Sequence, residues 1–174
     1  MRFVLIVHGE VEGGRDDPPL SQTGRHEAQA LAAELQKQTA NATVLCGPRR
    51  ATQETAALIA LALQASMPQL RDDLSAPEDE SIAALAASQV QAWSLIEAAK
   101  TQFDADATLV LVTHDLIVRA LVCRALSMPL DEMQRFSLQS GSMSTIEWRV
   151  QPRERTLIAS LNEVCHLEGT GEGG

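Results

Sequence analysis

Two apolar runs, each ended by a histidine, set the tightest limit on what this chain can fold into. Phe3-Val4-Leu5-Ile6-Val7 runs into His8-Gly9-Glu10, and Leu109-Val110-Leu111-Val112-Thr113 runs into His114-Asp115. A run this short, rich in β-branched residues and without a polar face, reads as a strand buried on both sides. Such strands belong to parallel sheets covered by helices, and these folds gather their chemistry at the carboxyl ends of the strands. If both strands run the same way, His8 and His114 open on one edge and converge in one crevice. Two imidazoles at one site permit nucleophilic, acid–base or metal-ligand chemistry. Taken singly, each is also read plainly as a histidine that begins a loop.

The rest of the pattern agrees with an α/β fold. Ser21 caps a helix over 22–38, in which Ala28, Leu31, Ala32 and Leu35 recur at helical spacing. A short strand is expected at 43–46 and a helix at 50–65, with Ala56, Ile59, Ala60 and Leu63 on one face. Residues 66–80 are irregular and acidic, one or two helices span 80–102, and a helix follows at 116–127. Two further strands are expected at 143–150 and 155–162. Alternation of strand and helix through residue 127 predicts a mostly parallel central sheet. The length of 174 residues, 45% of them hydrophobic, suits one domain over 1–166, with 167–174 as a disordered tail.

Composition removes several function classes. A net charge of −9 repels nucleic-acid phosphates, and the absence of tyrosine leaves few stacking surfaces, so no nucleic-acid partner is expected. No run approaches the ~18 apolar residues of a membrane span. The amino terminus opens directly into a strand without a signal-peptide pattern, so a cytoplasmic location is expected. Cys46, Cys123 and Cys165 are odd in number and widely spaced, which suggests buried thiols rather than a disulfide framework or a zinc site. The acidic balance also disfavours an anionic substrate, unless arginines concentrate at one point. Arg49 and Arg50 lie between a strand and the start of a helix. There the backbone N–H groups and the guanidinium forks together suit a phosphate.

Read in order, "LIVHGE", "DDPPLSQTGRHEAQALA", "GPRRATQETAALIA", "LVLVTHDLIVRAL", "LQSGSMSTIEW" and "LNEVCHL" resemble the histidine phosphatase superfamily. This is the phosphoglycerate mutase-like group, and the chain looks like a short, phosphohistidine-phosphatase-like member of it. The resemblance covers almost the whole chain. It implies a three-layer α/β/α sandwich and a phosphatase that uses neither metal nor cofactor. His8 would be the nucleophile that forms a phosphohistidine, and His114 would bind and stabilise the transferring group. An acid from the 72–80 loop would protonate the leaving oxygen. The implied partner is a phosphorylated small molecule or a phosphoprotein.

The chain departs from the family pattern in four places. The Arg-His-Gly motif reads Val7-His8-Gly9, and loss of one charge-assisted donor costs about 2–4 kcal/mol at a transition state. Ungapped matching puts Ala51 at the family's second arginine, whereas a one-residue shift puts Arg50 there. Arg50 is the preferred phosphate ligand, with Arg49 and Gly9 beside it. Asp115 stands where the family has a small uncharged residue, and Arg119 is spaced to pair with it. The acid is open among Asp72, Asp73, Glu78 and Glu80, with Asp73 preferred because "DLSAP" resembles the short type of loop. Arg15 is the nearby basic residue available to replace the arginine lost at Val7, while His26 and His166 read as structural. Two alternatives stand beside the phosphatase. One is an impaired relative that binds or regulates a partner. The other is a metal-dependent hydrolase using His8, Asp16 and His114 near Glu10, for which no His-x-x-x-His pairing exists.

Overall fold

Strand β1 (Arg2–Val7) sorts its buried side chains by parity. Phe3, Leu5 and Val7 enter one core cluster, and Val4 and Ile6 enter another. The period of two sends successive residues to opposite faces, and both faces are covered, so the run has no polar side. This computed structural model describes residues 1–13, 16–39, 41–79, 81–150 and 154–168.

The cover comes in two layers. Helices α1 (Gln22–Gln38) and α2 (Arg50–Leu63) bury Leu31, Leu35, Ala56 and Ile59 against one face of the sheet. Helices α3 (Ile82–Gln102) and α4 (Asp115–Ala125) bury Leu85, Ile96, Ile117 and Leu121 against the other. The sheet contains β1, β2 (Ala42–Cys46), β3 (Gln69–Leu70), β4 (Thr108–Thr113), β5 (Met143–Arg149) and β6 (Arg155–Glu163), in the order β3-β2-β4-β1-β5-β6. Strands β1 to β4 are mutually parallel, and the β5–β6 hairpin adds antiparallel on the free side of β1. The three-layer α/β/α sandwich with a mostly parallel sheet is therefore the observed architecture.

Most boundaries fall within a residue or two of expectation. Ser21 caps α1 through its hydroxyl, which accepts from the Gly24 N–H at 3.0 Å. The span 80–102 is one helix, capped by Ser81. The acidic stretch is less irregular than its composition implies. It holds the two-residue β3 and a 3-10 turn at Asp72–Leu74, organised by the fully buried Leu74. Cys46 and Cys123 are buried, but Cys165 is exposed, because it sits in a 3-10 turn after β6 rather than on an inward face. No helix among the described residues is long and apolar enough to cross a membrane. Arg15, Glu80 and residues 169–174 of the expected tail lie outside the described residues.

Candidate active site

The pairing of β1 with β4 builds the site. Its parallel register sets Val7 against Thr113, so the next residue on each strand, His8 and His114, leaves the sheet at the same level. The His8 N–H still donates to the Thr113 carbonyl at 3.1 Å. The two rings meet edge to face, with centroids 4.8 Å apart. The Gly9 carbonyl lies 2.8 Å from His8 Nδ1 and only accepts, which places the proton on Nδ1. Nε2 then carries the lone pair, and it faces His114 Nδ1 at 3.2 Å.

His114 occupies the N-cap position of α4, yet its side chain caps nothing. Its Nε2 is buried without a hydrogen-bond partner. Burial pushes this imidazole down to about 4, with further lowering from the neighbouring His8 and from Arg49. Asp115 and Asp17 oppose the shift. His114 is therefore a neutral ring at physiological pH, with one nitrogen turned to His8 and one unpaired. The anticipated Arg119–Asp115 pair is present and leaves Asp115 already engaged.

A hollow of about 280 Å³ opens over the two rings. Its polar lining is His8, His114, Arg49, Asp16 and Asp17, and its apolar walls are Val11, Pro18, Ala51, Ala76 and Pro77. A larger hollow of about 530 Å³ lies at the opposite ends of β2 and β4, lined by Asn41, Gln64, Asp104 and Asp106 among others. It contains no imidazole and no arginine, whereas the smaller one is lined by both strand-end histidines and by Arg49.

Two of the expected site residues are not among those that line the hollow. Arg50, expected as the main phosphate ligand, does not line the hollow. Its backbone N–H donates to Asp17 Oδ1 at 2.9 Å, and its guanidinium Nε donates to Glu54 Oε1 at 2.8 Å. Ala51, not Arg50, lines the hollow. Arg50, one residue earlier, is rotated about 100° away. Arg49 is the basic side chain that lines the site among the described residues, and its Nη1 donates to the Asp16 carbonyl at 3.2 Å. Asp73, expected as the acid, is bonded to Arg71 and is absent from the lining, as are Asp72 and Glu78. The 3-10 turn that buries Leu74 leaves Ala76 and Pro77 as that loop's contribution.

Other residues complete the scaffold. Gly9 approaches the Gly24 backbone so closely that a Cβ on either would overlap the other segment's main chain. The Gly9 N–H donates to Thr55 Oγ1 at 3.2 Å, and Thr113 Oγ1 donates to the Leu74 carbonyl at 2.6 Å. Glu27 accepts from the Glu10 N–H at 2.8 Å and from the Ser140 hydroxyl at 3.1 Å, tying the loop after His8 to the loop before β5. These three were missed by sequence reasoning. The available signal was a Thr or Glu placed on a helix face or strand otherwise given to apolar residues. Val7 is 5% exposed and packed in the core. His26 is exposed, and His166 donates from Nε2 to the Gly141 carbonyl at 2.9 Å, a structural bond. The metal-ligand reading gains no support. Among the described residues, no group of three or more His, Cys, Asp or Glu is arranged to hold an ion, and Glu10 receives the Ser21 hydroxyl instead.

Comparison with known proteins follows the same outline. The model of the histidine phosphatase superfamily, branch 1, matches residues 3–76 and 63–161. The chain is 23% identical over 210 residues to a 2-carboxy-D-arabinitol-1-phosphatase of Triticum aestivum, covering 95% of this chain and 42% of that protein. It is 28% identical over 182 residues to the serine/threonine-protein phosphatase Pgam5, mitochondrial, of Caenorhabditis briggsae, covering 94% and 63%. The chain thus spans about half the length of these curated relatives. In fold it superposes on a phosphoserine phosphatase from Entamoeba histolytica in complex with 3-phosphoglyceric acid. The TM-score is 0.78 at 19% identity, over 95% of this chain and 98% of that one.

Proposed function

Because the chain belongs to the histidine phosphatase superfamily, we propose that it is a phosphatase that transfers a phosphoryl group to His8 and then to water. The observation that carries this reading is the His8 ring itself. Its Nδ1 proton is tied to the Gly9 carbonyl, so Nε2 keeps the lone pair, 3.2 Å from His114 Nδ1, in a hollow also lined by Arg49. Val7 leaves the site without the motif arginine, and Arg49 supplies the cation from a different position.

In the first step Nε2 attacks phosphorus in line, a P–N bond forms, and the ester P–O bond breaks. The electron pair leaves on the ester oxygen. Arg49 donates to the equatorial oxygens, where charge gathers. The incoming dianion opposes the burial that keeps His114 neutral, so His114 takes up a proton and donates to the same group. Water then attacks phosphorus, the P–N bond breaks, inorganic phosphate departs and His8 is restored. Asp73 has no place in this scheme because Arg71 holds it. Substrates with good leaving groups, such as aryl phosphates and phosphohistidine, are accordingly favoured.

The test is hydrolysis of an aryl phosphate between pH 5 and 8, by the wild type and His8→Ala, with and without chelator. Chelator-insensitive turnover that vanishes in His8→Ala supports the proposal, as does acid-labile phosphate trapped on the wild type. Turnover that survives in His8→Ala refutes it.

A further inference from the structure

The proton on His8 Nδ1 depends on one peptide group. The Gly9 carbonyl, 2.8 Å from Nδ1, belongs to the same planar unit as the Glu10 N–H, which donates to Glu27 Oε2 at 2.8 Å. A rotation that carries this carbonyl away from Nδ1 therefore also breaks the bond to Glu27. Gly9 has no Cβ to resist such a rotation, so the hold has to come from a neighbouring element. Helix α1 provides it. Gly24 and Glu27, three residues apart, lie on one face of that helix. Gly24 admits the Glu10 backbone at close range, and Glu27 takes its N–H. The other carboxylate oxygen, Oε1, accepts from the Ser140 hydroxyl at 3.1 Å. Beside Ser140, the Gly141 N–H donates to the His8 carbonyl at 3.2 Å.

We propose that Glu27 is a positioning residue, acting through the Gly9–Glu10 peptide to keep the proton of His8 on Nδ1 and the lone pair on Nε2. The inference rests on the phosphatase reading above and deepens it. A neutral imidazole carries its proton on either nitrogen, and the partner of one nitrogen decides which. Without the Gly9 carbonyl in place, the proton is free to sit on Nε2, which then has no lone pair for phosphorus. The hold also matters during transfer. As Nε2 forms the P–N bond and the ester P–O bond breaks, the ring becomes cationic and its Nδ1 proton stays where it is. A chain of hydrogen bonds then runs from that proton through the peptide to a carboxylate, and each bond polarises the next.

The test is nitrogen NMR of the histidine rings at about pH 8, above the ordinary titration range of imidazole. The His8 signals are identified by their absence from His8→Ala. Wild type is expected to carry the proton on Nδ1. Glu27→Leu, of similar bulk but without an acceptor, is expected to show the Nε2–H form and to lose about tenfold or more in kcat/KM on an aryl phosphate. Glu27→Gln keeps an oxygen for the Glu10 N–H, so it is expected to retain the Nδ1–H form and to lose no more than about threefold. A merely structural role would lower the unfolding temperature and leave the tautomer alone. The inference is overturned by an Nε2–H ring in the wild type, by an unchanged tautomer or unchanged turnover in Glu27→Leu, or by Glu27→Gln as impaired as Glu27→Leu. Should Glu27→Leu fail to fold, Glu27→Ala takes its place with the same outcomes. An inactive wild type refutes the phosphatase reading alone, because the tautomer is read without turnover.

Discussion

Adjacent arginines at the start of α2 are expected to differ by two orders of magnitude in importance. Arg49→Ala removes the cation that lines the hollow among the described residues. Loss of such a charge-assisted donor costs about 3 kcal/mol at the transition state, or about 10²-fold in kcat/KM. Arg50→Ala removes a guanidinium whose partner is Glu54, one helical turn on, and whose side chain is 52% exposed. An exposed i,i+4 pair contributes about 0.3–0.5 kcal/mol, which for a chain of this size shifts Tm by about 1–2 °C. The Arg50 contact with Asp17 survives because it uses the backbone N–H. Arg50→Ala should therefore stay within about twofold of wild type in kcat/KM. The assay is steady-state hydrolysis of an aryl phosphate, with His8→Ala as the blank and thermal unfolding to confirm that both variants fold. If Arg50→Ala proves the more damaging, or Arg49→Ala stays within threefold, the assignment of Arg49 and the helix phase behind it are wrong.

Further outcomes follow from the scaffold. His114 has a folded pKa of about 4 against an ordinary 6.5, so above pH 6.5 both states are neutral and nothing is lost. Between 6.5 and 4 the unfolded chain binds a proton that the native chain refuses. Stability then falls by about 1.4 kcal/mol per pH unit, or about 3 kcal/mol in all. Urea unfolding at several pH values should show a shallower acid slope in His114→Gln than in wild type, and identical slopes would contradict this. Thr55→Val leaves the Gly9 N–H unsatisfied and should cost about 1–3 kcal/mol in unfolding free energy; an unchanged denaturation midpoint would argue against that bond. Gly24→Ala forces a methyl group into the Glu10 backbone and should destabilise by about 1–3 kcal/mol while reducing turnover, because Glu10 follows the His8-Gly9 pair. A neutral Gly24→Ala would mean that α1 does not press on the His8 loop.

Legibility from sequence varied with how local the cause was. The runs before His8 and His114 were readable because burial on both faces removes every polar residue from a strand, and their shortness and β-branched content separate them from a buried helix. The convergence of the two histidines followed from parallel direction alone, and the Val7–Thr113 register supplied the rest. Arg49 and Arg50 were readable as a pair but not separable, since the choice depends on where the first turn of α2 begins. A shift of one residue there rotates a side chain by about 100°. Asp73 was chosen from the look of its loop, while its true partner, Arg71, is set by the buried anchor Leu74. Cys165 misled because small and apolar neighbours in sequence did not imply cover in space.

By itself, the chain's residue order determined the strands, the helices, their alternation and the two histidines at strand ends. These depend on periodicity and caps, which act over a few residues. Tertiary structure decided which arginine reaches the hollow and that His114 is neutral with one nitrogen unpaired. These arise from groups far apart in the chain, brought together only when the sheet closes and the loops pack against it, whereas the Arg71–Asp73 and Arg50–Glu54 pairs are local.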